Sequence, residues 1–234
     1  NTQSKYNLEG KISTKSATGT VSLHPSPIPD KSTNNCLNGD VTVTISYSEQ
    51  VPDGYRIEYS LDGKNWSQGT KVVVTKDGTT VSGSLYNSTQ DDRIKVNSYT
   101  VSYIDKDAPT RPTSIQVSTT ENTVTAKAVG GSDAKSGVKA YEYSLDRSTW
   151  KSLAQGESIT FEGFKSNQNV TVYARTVDWV GLKSPETSES VTTTKVDGTI
   201  GISLNTEKWT NQDVIVTIKY SKSVPKGYVL QYKK

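Results

Sequence analysis

The single histidine, His24, and the single cysteine, Cys36, are the one pair in this 234-residue chain that could work as base and nucleophile. Their settings argue against it. His24 lies in Leu23-His24-Pro25-Ser26-Pro27, a proline-rich stretch where a solvated imidazole is the ordinary reading. Cys36 aligns with Trp209 at the start of a repeated strand, where a small buried hydrophobe serves as well as a thiolate. The neighbouring carboxylates Asp91 and Asp92 fall in an expected loop, with no sign of a cleft to raise one of them for acid catalysis, and read as turn residues. No catalytic, cofactor-binding or metal-binding residue is therefore assigned.

A hard cation is the other chemistry to weigh. Asp105-Lys106-Asp107 could supply oxygen ligands to calcium, with Asp133 or Asp178 completing the shell. Lys106 between the two acids, and the lack of an Asp/Asn-rich loop of recognisable spacing, favour a plain linker. Among the aromatics, Trp66 and Trp150 recur at one repeat position, which points to packing, whereas Trp179 beside Gly181 is the better candidate for an exposed contact. Asn65-Trp66-Ser67, Asn87-Ser88-Thr89 and Asn169-Val170-Thr171 fit the N-glycosylation pattern, though such triplets arise by chance in a chain this rich in Asn, Ser and Thr. Lys, Asp and Asn on facing strands could form an internal isopeptide crosslink, but no spacing identifies the trio.

The elements that would carry these residues are strands. Only 32% of the chain is hydrophobic, Tyr (13) far outnumbers Phe (2), and Ser plus Thr make up roughly a quarter, a mix suited to half-buried strands. Val41, Val43, Ile45 and Tyr47 alternate with Thr42, Thr44 and Ser46; Tyr55, Ile57, Tyr59 and Leu61 alternate with Arg56, Glu58 and Ser60. Further strands are expected at 72–75, 79–85, 93–104, 124–129, 138–145, 158–161, 170–178 and 188–194, and no stretch reads as a helix. The longest apolar run falls far short of the roughly 20 residues a membrane helix needs. The net charge of +3 is interspersed, with no basic block beyond Lys233-Lys234, so no nucleic-acid partner is expected. One cysteine permits no internal disulfide, and the lack of Met suggests a piece of a longer, processed chain.

The chain repeats itself. NGDVTVTISYSEQVPDGYRIEYSL from Asn38 aligns without a gap on NQDVIVTIKYSKSVPKGYVLQYKK from Asn211, an offset of 173 with roughly half the positions identical. EYSLDGKNW from Glu58 matches EYSLDRSTW from Glu142 at an offset of 84. The unit is thus roughly 85 to 90 residues, with DKDAPTRP (105–112) and KVDGT (195–199) as linkers. The expected organisation is an upstream arm at 1–18, module one at 19–105, module two at 106–194 and an incomplete third module at 195–234. Some seven short strands per module, each apolar on one face, read as a β-sandwich. In the third segment Val214, Val216, Ile218 and Tyr220 lack a covering sheet, and Tyr228 to Tyr232 would be an open edge, so residues 211–234 are expected to fray or to pair with another chain.

Module two, from APTRP through GVKAYEYSLDRSTW to VTVYARTVDWVGLKS, resembles the Ig-like and fibronectin type III-like repeats of bacterial exported and cell-surface proteins. Trp209-Thr210-Asn211 followed by DVIVTI resembles the start of such a repeat. Val180-Gly181-Leu182 departs from the usual Ala-Gly-Asn turn, and module one has no counterpart of that turn near Tyr99 to Asp105. The resemblance implies an all-β tandem array of Ig-like sandwiches, two modules plus a truncated third. It implies an extracellular, non-catalytic spacer, stalk or adhesion segment whose partner is a protein or glycan surface ligand, without cofactors. An accessory glycan-binding segment of a secreted glycosidase, and a phage tail or virion structural segment, are the alternatives.

Overall fold

The computed structural model describes residues 17 to 233, so the expected arm at 1–18 lies almost wholly outside the described residues. These residues divide into two compact units, one ending at Lys106 and the other beginning at Asp107. Among them no helix is long and apolar enough to cross a membrane.

Unit one runs β1 (Val21–Ser26), β2 (Val41–Tyr47), β3 (Tyr55–Ser60), β4 (Trp66–Gln68), β5 (Lys71–Val74), β6 (Thr79–Asn87) and β7 (Asp92–Val101), with a 3-10 turn at Lys31–Thr33. The strands form two antiparallel sheets ordered β1-β2-β5 and β4-β3-β6-β7. The period-two alternation explains the layering. Val41, Val43 and Ile45 point inward with Val72 and Val74, and they meet Val81, Leu85 and Val101 of the facing sheet. The centre is tight at Gly83, where a Cβ would lie 2.7 Å from Ile45 Cγ2, so a side chain there would push the two sheets apart. One flank is closed by Asn97, whose Nδ2 donates to the Val21 carbonyl at 2.9 Å beside a register shift in β6–β7.

Unit two repeats the plan with β8 (Ser114–Thr119), β9 (Thr123–Val129), β10 (Val138–Ser144), β11 (Lys151–Ala154), β12 (Ile159–Glu162), β13 (Asn169–Asp178) and β14 (Thr187–Thr192). Its sheets are β12-β9-β8 and β11-β10-β13-β14, position for position the order of unit one. Ile115, Val124, Ala126 and Ala128 face Tyr141, Tyr143, Val172 and Ala174 across the core. Tyr143 is fully buried, and its hydroxyl accepts the Ala128 N–H at 2.8 Å, so the polar end of a large core side chain is satisfied. The fold class is therefore tandem β-sandwiches, each of three strands on four. The fourth strand stays beside the third, unlike the constant Ig arrangement in which it joins the opposite sheet.

The second unit also contains β15 (Ile200–Leu204) paired with β16 (Val216–Tyr220). Register puts Ile200, Ile202 and Leu204 opposite Tyr220, Ile218 and Val216, so six apolar residues share one face, and Ile202 is 68% exposed. The strand expected at Tyr228 to Tyr232 does not form. Its counterpart β3 is held between β4 and β6, and among the described residues no strand flanks this copy. Tyr228 instead accepts the Ser166 N–H on its hydroxyl at 3.0 Å, while the Val196 N–H donates to Ser166 Oγ at 2.7 Å. The opening strands β1, β8 and β15 and the short β4 and β11 are additions to the sequence-based expectation.

Replacing Leu85, fully buried, by Ala should cost unit one about 2–5 kcal/mol in urea unfolding, whereas Ile202→Ala should stay within about 0.5 kcal/mol. Equal losses at the two positions would contradict the assignment of cores.

Candidate functional site

Each unit places its most elaborate side-chain cluster on the outer face of the four-stranded sheet. It begins at the turn after β3 and β10. Ser60 Oγ accepts the N–H groups of Asp62 and Gly63, and Asp62 Oδ1 accepts those of Lys64 and Asn65 at 2.8 and 2.7 Å. Ser144 and Asp146 do the same for Asp146, Arg147, Ser148 and Thr149. Asp62-Gly63 and Asp146-Arg147 thus make the same turn. Arg147 takes the left-handed conformation (φ 62°) that Gly63 adopts at φ 71°. The N–H donors hold both carboxyls well below the usual carboxylate range, led by Asn65 for Asp62 and by Thr149 for Asp146.

The turn delivers a tryptophan onto the sheet, and an arginine lies against its face. The Arg93 guanidinium sits 3.8 Å from the Trp66 ring centre and Arg175 sits 3.9 Å from Trp150. Each arginine also binds the glutamate of the repeated Glu-Tyr-Ser-Leu-Asp run. Arg93 Nη2 reaches Glu58 Oε2 at 2.8 Å, and Arg175 Nη2 reaches Glu142 Oε2 at 2.7 Å. Arg56 adds a second cation to Glu58 at 2.7 Å, as Lys183 does to Glu142 at 3.2 Å. Glu58 is 4% exposed, so the polar face of β3, which alternation assigns to solvent, is roofed over. This cluster is the element sequence reasoning missed. Glu and Trp recur at one offset, but the arginines come from non-equivalent strands: Arg175 stands directly opposite Glu142 on β13, while the position opposite Glu58 on β6 is Ser84. Arg93 reaches across from β7 and donates to Ser84 Oγ at 2.6 Å.

The other candidates separate. His24 is on β1, its Nε2 sharing a hydrogen bond with Ser46 Oγ at 3.1 Å, and Cys36 follows the 3-10 turn with its N–H donating to Thr33 O. Asp91 and Asp92 do not act as a pair. Tyr86 donates its hydroxyl to Asp91 at 2.8 Å and Tyr55 to Asp92 at 2.7 Å, and these bonds to carboxylates push both phenols above the usual tyrosine pKa. Lys106 turns its ammonium to Asp40, and Asp107, with its side chain 82% exposed, pairs with Lys135 at 3.4 Å. Asp105 is buried, its N–H donating to Leu37 O at 2.7 Å. In unit two Asp133 and Asp178 do come together, one carboxylate oxygen of each within 4.8 Å of the other. Trp179 is 36% exposed with the Lys139 ammonium 5.4 Å from its ring centre, and Trp209 is fully exposed. Of the glycosylation triplets, Asn65 gives its amide to Asp62, Asn87 is buried and caps its own turn, and Asn169 is exposed at the start of β13.

No family model matches the chain, and no curated protein matches it in sequence. Solved structures similar to it include the FN1–FN3 domains of chicken CNTN1, at 19% identity over 68% of this chain and 64% of that one, with a TM-score of 0.37. A two-domain fibronectin type III segment of chicken tenascin is 15% identical over 75% of this chain and 99% of that one, with a TM-score of 0.30. Domains A168–A170 of titin are 14% identical over 75% and 66%, with a TM-score of 0.42. The chain spans just under two thirds of the CNTN1 and titin fragments.

Two outcomes follow from the cluster. Arg175→Ala leaves the largely buried Glu142 with Lys183 alone and should cost about 1.5–3 kcal/mol in urea unfolding; a loss below about 0.5 kcal/mol would mark the pair as ornamental. The turn carboxyls are depressed in the folded state. Their contribution is complete above the unfolded value near 3.9 and is lost as pH falls through the lower folded value. Asp146→Asn, which keeps the accepting oxygen, should make the fall in melting temperature below about pH 4 shallower than in the parent. An unchanged acid limb would contradict the shift.

Proposed function

We propose that this chain is a non-catalytic tandem segment of an exported bacterial surface protein, working outside the cell as a spacer or stalk that also presents a surface to a protein or glycan. The observation that carries this reading is the repetition itself. Both units use one strand order, one Ser-Asp turn and one arginine-capped tryptophan, although the arginine reaches it from different strands. Such recurrence preserves a stable body in each copy instead of varying one copy into a reactive site.

Two further points support it. The residues that could have formed a nucleophile–base pair are placed otherwise, with the His24 ring bonded to Ser46 and Cys36 in the β1–β2 loop. Glycan capture by a strip of stacked indoles is disfavoured, because Trp66 and Trp150 already carry guanidinium groups on a face. Trp179 and Trp209 are the exposed tryptophans among the described residues, and they occupy no common repeat position.

A spacer must bear tension. Pulled from its ends, the chain should give two discrete unfolding events, each releasing roughly 300 Å of chain before the folded length is subtracted, as about 3.3–3.6 Å per residue requires for modules of this size. Smooth extension without force peaks would contradict the spacer role.

A further inference from the structure

We propose that the end of unit two where the β9–β10 loop meets the last residues of β13 is a divalent-cation site of the calcium class, held by Asp133 and Asp178. The two carboxylates approach from separate segments, and each is fixed by its own loop through one oxygen. Asp133 Oδ1 accepts the N–H groups of Gly137 at 2.7 Å and Lys135 at 3.0 Å, and Asp178 Oδ1 accepts the Leu182 N–H at 2.8 Å. Asp178 is fully buried. Their nearest offered oxygens are within 4.8 Å of each other. That separation suits one ion with oxygens at about 2.3–2.6 Å, the distance calcium prefers. Without a cation, two negative groups this close in a poorly solvated place repel, and a divalent ion reverses the sign of the interaction.

An independent observation points to the same spot. Thr176 lies two residues before Asp178 on the inward face of β13 and is fully buried, yet its Oγ1 has no hydrogen-bond partner. A hydroxyl so placed costs free energy unless something binds it. It faces the loop that carries Asp133. A Cβ added at Gly131, two residues before that acid, would lie 2.6 Å from Thr176 Oγ1. Gly131 has φ +82°, so the loop can pass close over the strand only with glycine there. Two anchored carboxylates and a hydroxyl without a partner are the hard oxygen ligands that calcium takes. Water would fill the remaining positions of a shell of about six to eight.

Trp179, adjacent to Asp178, supplies the probe. The full chain, freed of metal by a chelator, is titrated with terbium(III) while tryptophan is excited. Sensitised terbium emission is expected, displaced by calcium but not by potassium. Asp178→Asn and Asp133→Asn should each weaken terbium binding at least about tenfold, and Thr176→Val should weaken it measurably, the scale by which support around a metal site usually acts. Trp179→Phe should remove the emission while leaving calcium heat in calorimetry. Should Asp178→Asn fail to fold, as judged by circular dichroism, the Asp133→Asn result decides, since that side chain is only half-buried. Absence of both sensitised emission and calcium heat, or terbium binding unchanged in Asp133→Asn, would overturn the site.

Discussion

The inner strands β2, β6, β9 and β13 each have one apolar face, and the architecture follows from the need to cover it. The chain contains its own control. In unit one, Gly19 N–H donates to Tyr47 Oη at 2.7 Å and Thr20 N–H to Ser48 Oγ at 2.9 Å; in the third segment Gly198 and Thr199 make the same bonds to Tyr220 and Ser221 at 2.8 and 2.9 Å. The two hairpins, β1–β2 and β15–β16, are therefore built alike, down to the residues that start them. They differ in cover. Val21 and Val43 are 3% and 0% exposed beneath the second sheet, whereas the residues at the same places in the later hairpin, Ile200 and Val216, are 56% and 55% exposed. The bonds within each hairpin are common to both, but β2 also pairs with β5 while β16 has no second neighbour among the described residues, so β2 gains a further ladder as well as apolar burial, worth about 25 cal/mol per Å² of area removed from water.

The outer face of the four-stranded sheet meets the opposite demand. A glutamate in mid-strand needs either water or cations, and both units give it cations while laying the same guanidinium on a tryptophan. One face of the arginine satisfies the ring and its edge satisfies the carboxylate, which a lysine cannot do in one geometry. Unit two takes the arginine from the neighbouring strand and unit one from the strand beyond it, so the physical arrangement recurs while its source changes. The packing role inferred for Trp66 and Trp150 from their recurrence is thus realised as a stack on arginine at the sheet surface.

Alternation and repetition made the long strands legible. Val41 to Tyr47 and Val138 to Ser144 carry the period of two, and the Ser-Leu-Asp turn marks the end of its strand in both copies. Three kinds of feature were not legible. Val21–Ser26 contains two prolines' worth of loop signal within and beside it, which masks a strand held mainly by its register with β2. Tyr228 to Tyr232 has the pattern of β3 but not its neighbours, and pattern without partners does not make a strand. Asp133 and Asp178, which the sequence offered only as alternatives to complete a shell, are brought together by the β10–β13 pairing, which no local spacing reports, whereas Asp107 of the linker pairs with Lys135.

The most direct test compares the two hairpins inside one molecule by amide hydrogen exchange at a concentration low enough to keep the chain monomeric. If cover by the rest of the sandwich and not the hairpin's own hydrogen bonds sets stability, the β2 amides that face β1, such as Thr44 and Ser46, should be protected to the level of global unfolding of unit one, while their counterparts Thr217 and Lys219, which face β15, exchange orders of magnitude faster through local opening. Comparable protection in β2 and β16 would contradict the account.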